Sequence, residues 1–434
     1  MTEATTHIIG AGIAGLSAAV RLVDDGHRLV VHEAARAAGG RCRSYHDQTL
    51  DLTIDNGNHL LLSGNSVACD YLGRIGSRGM LKGPGSAVFD FADLRSGERW
   101  QLRPNDGRVP WWLLDSKRRV PGTRLGEYLA VLGPLRATAT ASLGAVMSCS
   151  GPLYDRLWRP VLLAGLNTDP PEGSAMLAGA MLRETLGAGG KACHPLIAAG
   201  GLSACFIEPA IAHLAARNAP IRLGERLRGI EFVEDRAVSL DLGADRTPLT
   251  KDDTVILAVP PWAAQELLPG LAAPDEFRAI VNAHFRVAPR PGQPMILGVV
   301  NGLTEWLFAY PNHVSVTISG ADRLLDTPRE ALAAEIWREV AELAGFEPQL
   351  PPWQIVKERR ATFAATPTQD AKRPIANTRW TNVVLAGDWT QTGLPATIEG
   401  AVRSGYKAAS IIAERSTRRR VSASPPVASH ERLV

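Results

Sequence analysis

Residues 6–34, THIIGAGIAGLSAAVRLVDDGHRLVVHEA, decide the fold of this chain of 434 residues. The apolar start, residues 6–12, predicts a strand that runs into a glycine-rich turn, and residues 27–34 predict a second strand. Between them, apolar residues recur at the spacing of one helical face: Ile13, Leu16, Val20 and Val23. Gly26 then ends the predicted helix. The stretch therefore predicts a βαβ unit, and with it an α/β fold.

Three glycines after the first strand have the spacing GxGxxG: Gly10, Gly12 and Gly15. The spacing alone is weak evidence, but here it follows a strand and opens an amphipathic helix, and Glu33 ends the next strand. The first glycine permits a tight turn, the second lets a pyrophosphate approach the backbone, and the third lets the helix pack on the strand. The helix start, with Ile13 and Ala14, would face the phosphates, and Glu33 would accept hydrogen bonds from ribose hydroxyls.

The residues after Glu33 favour FAD over NAD. Gly39 and Gly40 bring backbone close to the phosphates, and Arg41, together with Arg36, supplies a guanidinium for them. A nicotinamide site does not require this extension. Since no second GxGxxG occurs in a strand context, the sequence predicts FAD without a separate NADPH domain.

A second strand-to-helix junction lies near the end of the chain, in LAGDWTQTGLPATIEGAVRSG, residues 385–405. Gly387 and Asp388 at the strand end place a carboxylate where it suits the hydroxyls of a ribityl chain. The helix that follows has free N–H groups that would stabilise negative charge on a reduced flavin. Its predicted cofactor contacts come from one loop: Leu394, Pro395, Ala396 and Thr397.

Composition places the chain among ordinary globular proteins, with 45% hydrophobic and 21% charged residues. The formal net charge of +3 is too small to indicate a nucleic-acid partner. The five cysteines are scattered, without CxxC or metal-ligand spacing, which predicts reduced thiols in a cytoplasmic protein and no metal site. The N-terminus lacks a secretion signal, and the longest uncharged run, residues 137–154, is too rich in small and turn residues to be a membrane span.

The order of the patterns predicts two interleaved domains. Three α/β pieces form a Rossmann-like FAD-binding domain, and the segments between them form an inserted mixed α+β substrate domain. The predicted FAD-binding pieces are 1–65, 200–270 and 376–414. The predicted substrate-binding pieces are 66–199 and 271–375, and residues 415–434 are predicted to be a disordered basic tail.

These motifs together resemble the flavin-containing amine oxidase and carotenoid desaturase superfamily. Within it, the chain is most similar to the hydroxysqualene dehydroxylases, once called squalene-associated FAD-dependent desaturases. The narrower resemblance is carried by DNGNHLLLSGN (55–65), LWRPVLLAGLNTDPPEGSA (157–175), KERRATFAATP (357–367) and GDWTQTGLPATIEGAVRSG (387–405). It covers nearly the whole chain. One departure is Asn58, at a position where many relatives are expected to have Gln.

The resemblance implies a reductive reaction in hopanoid or squalene biosynthesis. Hydroxysqualene, an allylic C30 alcohol, would lose its hydroxyl group and gain a hydride from reduced FAD. The resemblance also implies the FAD contacts already named at the two junctions. It adds Leu227 and Ile230, which stand where the family packs the adenine, beside Val259 and Pro260.

Hydroxide is a poor leaving group, so the reaction needs a proton donor near the flavin. His59 is the first candidate, because the resemblance places its loop beside the isoalloxazine. Asp55 is expected to fix that loop through backbone hydrogen bonds. Glu399 lies in the first helical turn, where a carboxylate is favourable for electrostatic reasons alone. Residues 358–360 are expected to form a structural ion pair in a strand.

A C30 isoprenoid requires a long apolar pocket. The predicted lining residues are Trp158, Leu162, Leu166, Phe308 and Tyr310, although such aromatic and leucine patterns are also typical of plain core. The predicted partner is thus an apolar isoprenoid, with candidate contact to the inner face of the membrane, assisted by Arg418–420, and candidate association with other squalene-biosynthesis enzymes.

Two other functions remain open at this point. The same flavin scaffold supports carotenoid-type desaturases and amine oxidases, in which hydride travels from substrate to flavin. A flavin-binding accessory protein without turnover is the third reading. Turnover with O2 would identify an oxidase. Retention of FAD without any effect on substrate would identify an accessory protein.

Overall fold

The computed structural model describes residues 4–243 and 246–423. Its strands, in chain order, are β1 Thr6–Ile9, β2 Leu29–Glu33, β3 Ser44–Asp47, β4 Leu52–Asp55, β5 Leu61–Leu62, β6 Leu81–Lys82, β7 Phe89–Asp93, β8 Arg99–Leu102, β9 Pro195–Ala198, β10 Ile221–Leu223, β11 Gly229–Val233, β12 Arg236–Asp241, β13 Arg246–Pro248, β14 Thr254–Leu257, β15 Phe277–Phe285, β16 Ile296–Val300, β17 Trp306–Ala309, β18 Val314–Ile318, β19 Trp353–Phe363 and β20 Val383–Leu385.

The α-helices are α1 Ile13–Asp24, α2 Ser66–Arg74, α3 Leu132–Leu135, α4 Leu143–Val146, α5 Arg159–Leu166, α6 Ala175–Glu184, α7 Glu208–Ala215, α8 Pro261–Leu267, α9 Arg329–Ala344, α10 Pro367–Ala371 and α11 Ile398–Ala423. Within the described ranges none of the helices combines the length and apolarity needed to cross a membrane. The same residues contain no group of three or more His, Cys, Asp or Glu side chains placed to hold a metal ion.

A five-stranded parallel sheet forms the first domain, in the order β10-β2-β1-β14-β20. Its strands come from three separate parts of the chain, as predicted for a Rossmann-like fold assembled from three segments. β1 and β14 are completely buried, which explains why they read as continuous apolar runs rather than alternating patterns. The sheet therefore brings the carboxyl ends of β1, β2, β14 and β20 to one edge, where a nucleotide binds in such folds.

Helix α11 packs against α1 over one face of this sheet, and small residues permit the close approach. A Cβ at Gly405 would lie 2.2 Å from Ser17 Oγ and 2.3 Å from the Ala14 carbonyl oxygen. Helix α2 also contacts α11. The helix Ser66–Arg74 thus packs on the first domain, although the predicted boundary at residue 65 assigned it to the substrate domain.

Helix α11 is longer than predicted. The helix was predicted to end at residue 414 and to be followed by a disordered tail, but it continues to Ala423. The reason is that residues 415–423 contain no glycine or proline, so no local signal ends the helix. The prediction of disorder is therefore wrong for residues 415–423, and residues 424–434 lie outside the described residues.

The second domain is built on a seven-stranded sheet in the order β19-β15-β18-β17-β16-β7-β8. β7 and β8 come from the first inserted segment and the other five strands from the second, so the two insertions share one sheet. Helix α9 covers one face with an apolar stripe that includes Leu332, Ile336 and Val340. The other face carries Trp306 and Phe308 and packs against the region of α5. Because strand side chains alternate, this second face also receives the polar residues of β15 and β18.

Candidate functional site

Two glycines of the first turn are required by the fold itself. Gly10 has φ +106°, and a Cβ there would lie 2.5 Å from the Ala258 carbonyl oxygen. A Cβ at Gly15 would lie 1.9 Å from the Gly10 carbonyl oxygen, so a side chain would separate α1 from β1. These contacts explain the first and third positions of the motif without any ligand.

The middle glycine faces open space. No atom lies within 4 Å of a Cβ built at Gly12, and the nearest atom to one built at Gly40 is the Gly12 Cα, at 3.5 Å. Gly39 donates its N–H to the Ala11 carbonyl at 2.8 Å, which holds the two glycine stretches side by side. Gly12 is also the N-cap of α1 and has no side chain to satisfy the helix N–H groups that begin at Ile13 and Ala14. The turn is therefore a cradle open to an anionic group, as a pyrophosphate requires.

Glu33 is fixed at the rim of this cradle. One of its carboxylate oxygens accepts the Ala11 N–H at 2.7 Å, and the other accepts the Ala35 N–H at 2.8 Å. Residues of the second FAD-binding piece, 200–270, lie close by, because the Glu225 N–H donates to the Glu33 carbonyl at 2.9 Å. Leu227, two residues further on, shares a buried apolar cluster with Val259. The predicted ribose and adenine contacts thus come from neighbouring strand ends.

Arg41 and Asp388 join the predicted phosphate loop to the predicted ribityl loop. Nη2 of Arg41 donates to both carboxylate oxygens of Asp388, at 2.7 and 2.8 Å. Nη1 donates to the Ala361 carbonyl on β19 at 2.5 Å, so the side chain also reaches the second domain. Arg41 was predicted to serve the phosphates, which stays a prediction; its guanidinium here pairs with Asp388 and remains partly exposed.

A buried arginine that the sequence analysis missed shapes the loop around Asp388. Arg373 is fully buried, and its Nε donates to the Thr390 carbonyl at 3.0 Å while Nη2 donates to the Asp388 carbonyl at 3.1 Å. Nη1 donates to the Asp370 carboxylate at 3.0 Å. The Trp389 indole N–H donates to the Val259 carbonyl at 2.9 Å, which ties the ends of β20 and β14 together. Arg373 thus fixes the backbone that presents Asp388.

The loop predicted to contact the flavin leads into α11. Leu394 and Pro395 are buried, Ala396 is half-buried, and the Thr397 hydroxyl accepts the Gly400 N–H at 3.0 Å as an N-cap. Gly387 has φ +153° and lies against the Trp389 ring. The sequence-predicted cofactor residues at both junctions therefore surround one edge of the parallel sheet.

His59 lies in the loop between β4 and β5, close enough to Arg41 for their charges to interact. Burial, reinforced by Arg41, lowers the pKa of His59 to about 4. Neither ring nitrogen has a hydrogen-bond partner among the residues described. His59 is thus a neutral imidazole at neutral pH, near Arg41 and without a hydrogen-bond partner among the described residues.

The neighbouring Asn58 anchors this loop to the second domain. Its Nδ2 donates to Ser315 Oγ at 2.8 Å and to Thr317 Oγ1 at 2.9 Å, and its Oδ1 accepts the Tyr310 hydroxyl at 3.1 Å. The alternation in HVSVTISG predicts that Ser315 and Thr317 share a face, but nothing local predicts their partner. Tyr310, predicted as a substrate contact, is therefore also a structural partner of Asn58.

The other candidate acids have structural roles. Asp55 accepts the Ser44 hydroxyl at 2.6 Å and the Leu202 N–H at 2.9 Å, and burial raises its pKa to about 6. Asp55 was expected to fix the His59 loop, but its carboxylate instead joins the end of β4 to Ser44 and to the segment at Leu202. Glu399 accepts the Val67 N–H at 3.2 Å and the Ala68 N–H at 2.8 Å, so its carboxylate caps α2.

Glu399 provides a direct test of this structural assignment. The variant Glu399→Gln is expected to lose about 1–3 kcal/mol of unfolding free energy, because it removes the charge that caps α2 and pairs with Arg403 at 2.9 Å. Turnover per bound flavin should not change. Urea denaturation and single-turnover kinetics measure the two effects. Glu184→Gln, which alters the more exposed partner of Arg403, is the control and should cost less than about 1 kcal/mol. A large loss of turnover in Glu399→Gln at unchanged stability would assign Glu399 to catalysis.

The predicted substrate residues are buried together. Trp158, Leu162, Leu166, Phe308 and Tyr310 belong to one apolar cluster, which also contains Phe363 and Trp389. The cleft beside Arg41 and Asp388 is lined by other residues, among them Trp262, Phe277 and Phe363. Phe363 and Trp389 belong both to the cleft and to the cluster, so the cleft borders the cluster directly. The five lining residues remain a prediction.

Comparison with known proteins gives the relatives of this chain. Residues 13–413 match the family model described as flavin containing amine oxidoreductase. A hydroxysqualene dehydroxylase of Rhodopseudomonas palustris is 58% identical over 94% of this chain and 98% of its own length. Proteins of the same name from Sinorhizobium fredii and Zymomonas mobilis are 56% and 46% identical, over 93% and 95% of this chain and 97% and 99% of their own lengths.

Solved structures agree in fold at much lower identity. A putrescine oxidase bound to putrescine is 17% identical, with a TM-score of 0.67 over 95% of this chain and 99% of its own. Cyclohexylamine oxidase from Brevibacterium oxydans is also 17% identical, with a TM-score of 0.68 over 96% of this chain and 100% of its own. At this identity the likeness shows the fold.

Proposed function

Because the chain belongs to the family of flavin-containing amine oxidoreductases, we propose that it is an FAD-dependent oxidoreductase that converts hydroxysqualene to squalene. The observation that carries this proposal is the near-full-length identity with three hydroxysqualene dehydroxylases, at 46–58%. The geometry of the site is consistent with it. The reaction belongs to the biosynthesis of squalene and of the hopanoids made from it.

The residues at the sheet edge fit FAD. Gly12 and Gly40 leave space that a pyrophosphate would occupy, and the uncapped start of α1 would supply N–H groups for it. Glu33 would hold ribose hydroxyls, Asp388 the ribityl hydroxyls, and Leu394–Thr397 the flavin edge. When bound in its reduced form, FAD supplies the hydride.

The reaction balances as a reductive displacement. The allylic carbon–oxygen bond breaks, the departing hydroxide takes a proton and leaves as water, and a new carbon–hydrogen bond forms with the hydride. The substrate is reduced and the flavin is oxidised. The protein must therefore orient the allylic carbon, deliver one proton to oxygen and exclude bulk water.

We propose that His59 delivers the proton. Its side chain is half-buried, has no hydrogen-bond partner among the described residues, and lies close enough to Arg41 for their charges to interact. The neighbouring Asn58 holds the loop through buried hydrogen bonds, so the ring is carried on a fixed backbone. Trp262 and Phe277 line the cleft with their rings edge to face, 5.1 Å apart, and the Arg360 guanidinium lies 4.6 and 5.7 Å from their ring centres.

His59→Gln is expected to lower the single-turnover rate by about 10²–10⁴-fold, because the amide cannot act as an acid. FAD content should remain that of the wild type. With its pKa near 4, the protonated fraction of His59 rises about tenfold for each unit by which pH falls from 7 towards 5. The wild-type rate should rise accordingly, and the rate of His59→Gln should not. Stopped-flow measurement of flavin reoxidation gives both profiles; a variant within threefold of wild type would exclude this role.

The proposed reaction is tested directly with purified protein under anaerobic conditions. FAD is confirmed by absorbance and reduced, hydroxysqualene is added, and the extract is analysed by mass spectrometry. Squalene formed together with flavin reoxidation is the expected result. Unchanged hydroxysqualene with flavin that stays reduced would contradict it, and phytoene-like substrates or amines under air would then distinguish a desaturase from an oxidase. Retained FAD without turnover of any substrate would indicate an accessory protein.

An apolar C30 substrate partitions into lipid, and we propose on that ground that the protein works in peripheral contact with the inner face of the membrane. Contact with the enzymes that make hydroxysqualene or consume squalene is proposed for the same reason. The buried apolar cluster next to the cleft supports a substrate of this class.

A further inference from the structure

One surface segment, residues 109–132, is unusually apolar. It contains six of the thirteen exposed large apolar side chains among the residues described: Val109, Trp111, Leu114, Leu125, Leu129 and Leu132. Trp111, Leu114 and Leu129 are each 65% exposed, more than any other large apolar side chain in the described ranges. Apolar residues scattered singly on a surface need no explanation, but a concentration of this kind indicates an interaction site.

The 109–132 surface is a rigid structure. Two 3₁₀ helices, Trp111–Leu114 and Leu125–Val131, pack together through the Trp112 and Tyr128 rings, 5.7 Å apart and edge to face. The Tyr128 hydroxyl accepts the Val120 N–H at 2.9 Å. Side chains three residues apart eclipse in a 3₁₀ helix, so Trp111 and Leu114 project together.

The charge around this surface is strongly one-sided. Residues 103–136 contain seven basic and three acidic residues, an excess of four, whereas the whole chain has an excess of three. None of the seven forms a salt bridge with a described acidic residue. The basic residues are Arg103, Arg108, Lys117, Arg118, Arg119, Arg124 and Arg136. All of them except Arg118 and Arg119 are exposed, so five positive charges are available to an anionic partner.

We propose that the 109–132 surface is the membrane-docking site of the protein and inserts its apolar side chains among anionic phospholipids. Apolar tips surrounded by unpaired basic residues are the combination that binds an anionic bilayer interface. A second copy of the chain is a less favourable partner for this surface, because a symmetric dimer would place two basic surfaces against each other.

The position of this surface connects docking with the substrate. Trp112 and Tyr128, directly beneath the exposed residues, belong to the same buried apolar cluster as Trp158 and Phe308. The surface at which a lipid-soluble substrate would leave the bilayer and the cleft thus border the same buried apolar cluster. This part of the inference rests on the proposed function; the docking itself does not.

The test is co-sedimentation of the full-length, FAD-loaded protein with vesicles of phosphatidylglycerol and phosphatidylcholine. Binding is expected to mixed vesicles, to weaken with salt, and to be slight with phosphatidylcholine alone. The double variant Trp111→Ser/Leu129→Ser is expected to reduce the partition coefficient by about tenfold or more. The matched control Val233→Ser/Ile375→Ser alters two side chains that are 56% and 58% exposed elsewhere, and should bind as wild type.

Several results would overturn the proposal. One is that Trp111→Ser/Leu129→Ser binds vesicles as well as the wild type does. Another is that a chain ended after Glu414, with residues 109–132 unchanged, loses binding. The third is that the wild type is a dimer and that Trp111→Ser/Leu129→Ser dissociates it. The content of bound FAD and the thermal unfolding curve verify that each variant is folded. A second variant changes only basic residues of the same surface and should also weaken binding to vesicles: Arg108→Gln/Lys117→Gln/Arg124→Gln. Turnover of detergent-dispersed hydroxysqualene should be unchanged in both variants, so a failure of docking is distinguishable from a failure of the proposed reaction.

Discussion

Replacing Gly12 with valine is expected to abolish tight FAD binding while leaving the apoprotein folded. Nothing lies within 4 Å of a Cβ at this position, and the backbone, at φ −76° and ψ 178°, is one that valine adopts readily. The valine side chain would instead fill the space that the pyrophosphate needs. We expect the Kd for FAD to rise by about 100-fold or more, and the unfolding free energy of the apoprotein to change by less than about 1 kcal/mol.

The matched control is Gly15→Val, the same substitution three residues away. There a Cβ would lie 1.9 Å from the Gly10 carbonyl oxygen, so the fold itself is expected to lose about 3 kcal/mol or more, with or without FAD. Fluorescence titration with FAD and urea denaturation of both apoproteins separate the two effects. If Gly12→Val bound FAD within threefold of the wild type, the cradle would not be the pyrophosphate site.

Arg373→Met is expected to produce the largest loss of stability in the second junction, about 3–5 kcal/mol. The substitution leaves the Asp370 carboxylate buried without its partner, and removes the donors for the Asp388 and Thr390 carbonyls. Because these carbonyls shape the loop that presents Asp388, FAD affinity should fall as well. Urea denaturation of the apoprotein and FAD titration measure the two consequences.

Arg379→Met is the control for this variant. Arg379 is exposed, with its guanidinium 4.4 Å from the centre of the Trp380 ring, and the loss of such a contact should cost less than about 1 kcal/mol. Arg373→Lys retains the charge without the planar fork and should be intermediate. Equal stability of Arg373→Met and the wild type would mean that the loop is fixed by other contacts.

The sequence was sufficient for the parts of the site that are built locally. The strand-to-helix turn is predicted by three glycines within six residues: Gly10, Gly12 and Gly15. Glu33 is predicted because it stands at the end of the next strand. Gly387 and Asp388 were identified for the same reason. Each belongs to a turn whose geometry is set by its own residue types, and the fold places all of them at one edge of the parallel sheet.

The parts that could not be predicted depend on contacts between distant segments. Asn58 bonds with residues more than 250 positions away, and no local pattern names its partners. Arg41 was predicted from its motif, but its pairing with Asp388 joins residues 347 positions apart. Arg373 stood in a loop without any motif. The end of α11 was placed too early, because a basic stretch rich in serine was taken as disordered although it continues a helix.

The central claim is that the protein reduces hydroxysqualene with a hydride from FAD, and a single turnover in D2O tests it most directly. The transferable hydrogen of reduced flavin exchanges with solvent, so enzyme reduced and equilibrated in D2O should give squalene that carries a single deuterium at the carbon that lost oxygen. Product and reoxidised flavin should form in equal amounts. Squalene without deuterium, or hydroxysqualene recovered unchanged beside reduced flavin, would contradict the proposed reaction.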